Sequence, residues 1–232
     1  DGVRVNEVFG DIVQWDLLPI LALDRMELMA GAHAAFGPNT LGGALSMHTK
    51  SGRKSSIGRF QAGASSWGRR HVGAESGGAW GSWAAYGAGE LFEEEGWRDF
   101  SPSESRRLFG KLSYQQGSTA WDLGIGWAGS RLVGNGTAPV ELLEIDRAEV
   151  FTYPDETDND LFFPRLRWRH NLGSEALIEG IIFYRRSDIS TFNADALDGE
   201  AGEPDAANNR SHTDQLGYGA SLQITLTEEA WS

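Results

Sequence analysis

The chain has 232 residues, with 30 glycines, nine tryptophans, seven prolines and no cysteine. Lack of cysteine excludes disulfide frameworks, zinc ribbons and thiol nucleophiles together. A formal net charge of −13 argues against a nucleic-acid surface, which needs clustered Lys and Arg. No stretch approaches the ~18 consecutive apolar residues of a transmembrane helix. A mean hydropathy of −0.37 does not exclude a membrane barrel, because only alternate strand residues meet lipid.

Residues 1–52 read as mixed α/β. Asp1-Gly2 is a turn signal, and Pro19 to Leu23 suits a short helical turn. Arg25 to Met29 reads as a short strand and Ala44 to Thr49 as a second one. Between them Gly31, Gly37-Pro38 and Gly42-Gly43 punctuate the chain, and Ser51 to Lys54 looks like a linker.

From residue 55 the sequence becomes strands and turns, with strands expected near 57–66, 70–77, 82–91, 106–116, 119–130, 161–171, 175–187 and 214–226. The clearest is Gln215 to Leu226. It sets Leu216, Tyr218, Ala220, Leu222, Ile224 and Leu226 against Gln215, Gly217, Gly219, Ser221, Gln223 and Thr225. That is strict period-two alternation. Thr119 to Ser130 sets Trp121, Leu123, Ile125 and Trp127 against Asp122, Gly124, Gly126 and Ala128. Leu108 to Gln115 sets Leu108, Leu112 and Tyr114 against Phe109, Lys111, Ser113 and Gln115. Phe162 to His170 has Leu166 and Trp168 on one side and Arg165, Arg167 and Arg169 on the other. A mean soluble strand has about 5–6 residues, whereas crossing a bilayer takes about 9–11. Pro164, inside its strand, predicts an edge or bulge position.

Loop lengths supply an independent argument. From the second connection onward, short turns (78–81, 117–118, 171–174) alternate with long loops (92–105, 131–160, 188–213). Up-and-down membrane barrels have short periplasmic turns and long extracellular loops. A soluble meander has no reason to sort them. The fold class is therefore mostly β: a partial antiparallel transmembrane β-barrel of about eight strands, preceded by a small α/β segment.

That first segment sharpens the class. Asp1-Gly2-Val3-Arg4, Arg25-Met26-Glu27-Leu28, Gly31, Phe36-Gly37, Asn39, Leu41-Gly42-Gly43-Ala44 and Thr49-Lys50-Ser51-Gly52 follow one another in a particular order and spacing. In this the chain resembles the last half of a TonB-dependent receptor plug. The resemblance implies that 1–52 is the C-terminal part of a plug domain and 53–232 the N-terminal part of a barrel of about 22 strands. It makes Arg25, Glu27, Gly31, Gly37, Asn39, Gly42, Gly43 and Thr49 structural plug residues. It also implies a Gram-negative outer-membrane importer rather than an enzyme, with no cofactor. Its partners would be outer-membrane lipid, a TonB-type energy transducer and a scarce small-molecule or glycan ligand, such as a ferric siderophore or cobalamin. The TonB box and the front half of the plug are expected to lie outside this chain. Where the family often has Arg-Gly-Pro, this chain has Ala30-Gly31-Ala32, which leaves Arg25 as a candidate lock between plug and barrel. A plug folded inside a lumen of fixed diameter turns sharply, so Gly37, Gly42 and Gly43 are expected to supply positive φ or close backbone contact.

Other signals carry less. Gly124 to Gly129 matches G-x-G-x-x-G, but it lies within an alternating strand instead of between a strand and a helix. Acidic residues crowd the long loops (Glu93 to Glu95; Asp155, Glu156, Asp158 and Asp160; Asp195, Asp198, Glu200, Glu203 and Asp205) without EF-hand spacing, so a solvated loop explains them better than a Ca²⁺ site. Five histidines are dispersed without metal-ligand spacing. Arg165, Arg167 and Arg169 share a strand face that can line the lumen, either attracting anions or pairing with plug carboxylates. Pro139 to Val150 is the best helix candidate, with Pro139 in the first turn. Two alternatives to the importer remain at this point: a passive barrel, either porin-like or a small closed eight-stranded protein, and a soluble β-sandwich binding module.

Overall fold

The computed structural model describes residues 1–7, 12–32, 40–54, 58–197 and 205–226. Two antiparallel sheets organise them. The small one pairs β1 (Leu23–Ala30) with β2 (Gly43–Thr49). A 3-10 turn at Ile20–Ala22 leads into β1, shorter than the expected Pro19–Leu23 turn by one residue at each end, because Pro19 is its N-cap and Leu23 already pairs with Thr49.

The large sheet is a meander in strict chain order: β3 (Arg59–Ala64), β4 (Arg70–Trp80), β5 (Trp83–Glu94), β6 (Ser103–Gln116), β7 (Thr119–Val133), β8 (Asp155–Leu172), β9 (Ala176–Leu197) and β10 (Asp205–Leu226). All eight expected strands exist. β3 and β10 do not pair, so these strands form an open arc, against the small closed barrel considered above.

The strands outrun the expected ones almost wholly at their long-loop ends. β8 begins at Asp155 instead of 161, β9 runs to Leu197 instead of 187, and β10 begins at Asp205 instead of 214. Glu93, Glu94, Asp155, Glu156, Asp158, Asp160, Asp195 and Asp205 therefore lie in strands, not loops, while Asp198, Glu200 and Glu203 fall outside the described residues. The β8 and β10 extensions are mostly polar on both faces, and the β9 extension carries Ile189 and Phe192 out of strict alternation, so no period of two betrays them. Backbone pairing carries them in unbroken register from Leu226↔Ala176 to Asp205↔Leu197, joined by cross-strand contacts such as Asn209 with Asp195 and the Arg210 guanidinium over the Phe192 ring. At ~3.4 Å per residue, a 22-residue strand is about 75 Å long, far more than a tilted crossing of a ~30 Å hydrocarbon layer uses.

Two further expectations need correction. Pro164 sits in an interior strand, paired with Ile125 on one side, and the β8–β9 ladder skips it between Phe162↔Arg186 and Arg165↔Phe183. The register is the same on both sides of that gap, so the missing proline N–H costs a bridge without a bulge. The helix α1 is only Val140–Ile145, with Pro139 as its N-cap instead of its first helical residue.

The outward face is that of a membrane barrel. On β10 the apolar outward run Leu216 to Leu226 spans about 34 Å along the strand, and a ~45° tilt projects it to about 24 Å, close to the ~25 Å apolar band of outer-membrane barrels. At the short-turn end an aromatic row crosses five strands through the pairs Trp80↔Trp83, Trp83↔Tyr114, Tyr114↔Trp121 and Trp121↔Trp168. Ring centroids of Trp83 lie 5.0 Å from Tyr114 and 5.1 Å from Trp121. The row ends on Gly180, where the Trp168 ring occupies the space a Cβ would need. Gly124 and Gly126 lie within β7, on the inward face, so the dinucleotide-like motif has no helix to open.

The inward face holds the buried residues. Leu17 packs with Ala128, Leu161 and Phe163, joined by Val3, Val5 and Phe183. Ala22 packs with Tyr86 and Phe109. In both clusters a residue from the first segment meets residues of the large sheet, so the small element is seated on the concave wall.

Candidate functional site: the interface between plug segment and inner wall

Charged groups pin this seat at several points. The Asp1 carboxylate accepts hydrogen bonds from the Thr49 amide (3.0 Å) and hydroxyl (2.5 Å), which ties it to the end of β2. The same carboxylate pairs with two wall cations, Arg165 at 2.5 Å and Lys111 at 3.5 Å. Lys111 also donates to the Thr49 carbonyl at 3.1 Å. Arg165 lies near the rings of Phe109 and Phe163, with its guanidinium carbon 5.5 and 5.3 Å from their centroids. Those contacts compensate a cation taken out of water.

A second cluster anchors the residue after β2. Lys50 Nζ lies 2.6 Å from Glu75 and donates to the Leu21 carbonyl at 2.8 Å. The Tyr86 hydroxyl donates to the same Glu75 oxygen at 2.5 Å, and Arg59 pairs with the other oxygen at 3.1 Å. Glu75 is only 7% exposed, so its three partners replace the water it has lost. Gly52 continues this contact. A Cβ there would overlap the Ala85 and Gly78 carbonyl oxygens, and only glycine lets the linker lie this close to the β4–β5 hairpin.

Nearer the long-loop end, Glu7 pairs with Arg185, which also donates to the Asn6 carbonyl at 2.9 Å. Asp16 accepts from Ser130 and from Asn159 at 3.3 Å. Glu90 accepts the Leu21 amide at 3.1 Å, and Arg107 donates to the Leu18 carbonyl at 3.3 Å. The seat is therefore mostly polar, unlike a core sealed by apolar packing. Such an interface resembles a transient contact between domains.

The residues singled out in the sequence divide unevenly. Thr49 and Arg165 meet at the Asp1 carboxylate. Arg167 pairs with Glu179 on the neighbouring strand at 2.9 Å, and Arg169 is exposed. Arg25 does not bridge to the wall: its ion pair is with Glu27 of its own strand at 2.9 Å, and Asp1, Glu7 and Lys50 make the charged bridges instead. Glu27 also lies 3.9 Å from His48, whose proton affinity is lowered chiefly by burial. Gly43 takes φ +138°, with the Met29 carbonyl oxygen where a Cβ would stand, and Gly31 takes φ +92°. Gly42 meets neither condition, so the glycine requirement expected there is absent. Gly37 and Asn39 lie outside the described residues. Lys50, Glu75, Tyr86, Lys111 and Arg185 were not singled out as site residues, although each breaks the inward side of its segment with a large or charged group, which is a legible signal.

A meander with sorted loops, an outward apolar band and an inward face filled by an earlier part of the same chain defines a plugged outer-membrane barrel. No family profile matches the sequence. Over 66 residues (28% of this chain and 9% of the relative) the sequence is 36% identical to a ferric aerobactin receptor of Klebsiella pneumoniae. The structure superposes on the siderophore receptor PiuA of Acinetobacter baumannii with a TM-score of 0.77 and 15% identity, covering 90% of this chain and 33% of that one. It superposes on the open form of the ferric-catecholate import receptor Fiu of E. coli K12 with a TM-score of 0.75 and 14% identity, covering 88% and 36%. The chain thus spans about a third of the length of these solved receptors. Its fold is that of a TonB-dependent outer-membrane receptor, with a plug end followed by barrel strands.

Proposed function

We propose that the chain is part of an outer-membrane importer for a ferric siderophore, driven through a TonB-type energy transducer, and not an enzyme. Residues 1–52 serve as the end of the plug and 53–232 as the start of the barrel wall. The observation that carries this reading is the seat itself. The first segment occupies the inner wall and is held there by Asp1, Glu7 and Lys50, so passage requires the plug to shift. A porin-like channel has no use for such a seat. The names of the similar receptors support iron-chelate cargo. Partners are then outer-membrane lipid, the small-molecule chelate and the transducer. The test is uptake of radiolabelled iron, supplied as a ferric siderophore, by Gram-negative cells lacking and then regaining the receptor that contains this chain. Saturable uptake that a protonophore abolishes supports the proposal. Uptake that is linear in concentration and indifferent to the protonophore would establish a passive pore.

A further inference from the structure

The outward face is not bulky all round. From β6 to β8 its rows read Leu108–Trp127–Phe162 and Leu112–Leu123–Leu166. On β4 and β5 the same depth is occupied by Ala74–Gly89, Ser76–Gly87 and Gly78–Ala85, and Gly110 of β6 extends the middle row. Larger side chains frame this sunken floor. Leu91 stands above it, Trp80 and Trp83 below, Phe60 of β3 to one side, and Leu108 and Ile125 to the other. The upper part of the groove, between Ala74, Ser76, Gly87, Gly110 and the walls at Leu108 and Ile125, measures about 650 Å³. That lies within the range of small-molecule sites.

Nothing among the described residues accounts for this floor. Gly78, Gly87 and Gly110 take no positive φ. A Cβ at Gly78 or Gly110 would meet nothing within 4 Å, and one at Gly87 only the Phe109 carbonyl oxygen at 3.9 Å. Both ladders of β5 run without a register shift, so no bulge is involved. Glycine weakens a strand interior, and without a bulge it marks the close approach of another body. The groove lies inside the apolar band, so the body that reaches it is hydrocarbon. Its length agrees. From Leu91 to Trp83 the strand covers about 27 Å, which a ~45° tilt projects to about 19 Å, enough for the chain of one leaflet in a ~30 Å layer. A cation stands at the long-loop end. Arg106 is paired across strands with Leu91, and its ion pair with Glu104 is 3.4 Å long between side chains more than half exposed. A pair that exposed holds its partners weakly, which leaves the guanidinium fork to a phosphate.

We infer that this groove holds one acyl chain of a membrane lipid as a bound ligand, with the lipid phosphate at Arg106. The inference rests on the outer-membrane reading and adds to it a ligand that is not cargo. Lipid tails are as apolar as the groove, so the hydrophobic effect does not select the site. Selection comes from contact on the floor and both walls at once, where a convex barrel surface offers contact on one side only.

The receptor that contains this chain, purified in mild detergent, is titrated with phosphatidylglycerol or with diacylglycerol, which has the same chains and no phosphate. Native mass spectrometry reads the dissociation constant of the tightest-held lipid. Gly87→Leu with Gly110→Leu fills the groove. Ala220→Leu adds the same bulk elsewhere on the outward face, beside Ile182 on β9. The filled pair should weaken both lipids about tenfold, and Ala220→Leu should change neither. Arg106→Gln should weaken phosphatidylglycerol roughly threefold and leave diacylglycerol unchanged. Folding of each variant is checked by its migration on unboiled gels, and Ser76→Leu replaces the filled pair if that pair does not fold. Equal affinity in the native and filled proteins, or equal losses in the filled pair and Ala220→Leu, overturns the groove and leaves the barrel intact. Unchanged phosphatidylglycerol binding in Arg106→Gln overturns the phosphate contact. A receptor that stays monomeric in buffer without detergent overturns the outer-membrane reading itself.

Discussion

Replacing Leu222 by arginine tests whether the outward face meets lipid. Leu222 is 63% exposed on the outward side of β10, near the middle of the Leu216–Leu226 run. Its cross-strand partner is Gly180, over which the Trp168 ring lies, so a new side chain at 222 enters beside that ring. Leu222→Met measures the change of packing beside that ring, and the further cost of arginine is transfer of a charge into hydrocarbon. An arginine near the bilayer midplane of a barrel costs about 2–4 kcal/mol. At 1.4 kcal/mol per decade, that is about 30- to 700-fold in the folding equilibrium. Gln223→Arg, one residue on, points to the other face and should change stability by about 0.5 kcal/mol or less, as exposed substitutions usually do. The assay is reversible denaturant unfolding of the receptor in lipid vesicles, followed by tryptophan fluorescence. Equal costs at 222 and 223, or no cost at either, would mean that the outward face meets water, and the barrel reading would give way to a soluble sandwich.

Three further outcomes follow from single contacts. Gly180→Ala must displace the Trp168 ring and should cost about 1–3 kcal/mol, as overpacking does, but almost nothing in a Trp168→Ala background; a double-mutant cycle in the same unfolding assay measures the difference. Gly52→Ala should lift the linker off the Ala85 and Gly78 carbonyls and speed tryptic cleavage after Arg53 and Lys54 by roughly tenfold, the equivalent of ~1.4 kcal/mol of local opening. Arg98 joins two long loops by donating to the Gly136 and Glu149 carbonyls, both at 2.8 Å. Arg98→Ala should lose about 1.5–3 kcal/mol per charged hydrogen bond, seen as faster amide exchange within 95–102 and 134–154 and unchanged exchange in the strands.

The number and order of the barrel strands were legible in the sequence because burial on one side imposes a period of two, as Gln215–Leu226 displays without a break. Their upper ends were not. Asn208 to Asp214 pairs as regularly as the rest of β10, but with water on both sides nothing selects alternate residues. The glycines were half legible: Gly43 has the conformation that only glycine adopts easily, whereas its neighbour Gly42 does not, and a sequence cannot tell which member of a Gly-Gly pair carries the turn. The seat was the least legible part. Asp1 and Glu7 lie 164 and 178 residues from the arginines they meet, and no local spacing encodes contacts of that range. Arg165 could be placed on the inward face by alternation, whereas its partner could not be named.

The importer reading places the long loops at the cell exterior and the short turns in the periplasm, on either side of an outer membrane. The chain has no cysteine, so within it each introduced cysteine is a single reporter, read against the unsubstituted receptor as blank. Glu144→Cys places one on α1 in a long loop, and Ser174→Cys places one in the β8–β9 turn. Intact cells expressing each variant of the receptor are treated with a membrane-impermeant maleimide. Labelling is expected at 144 in intact cells and at 174 only after the outer membrane is broken. Labelling of both positions alike, or a protein recovered in the soluble fraction, would contradict it.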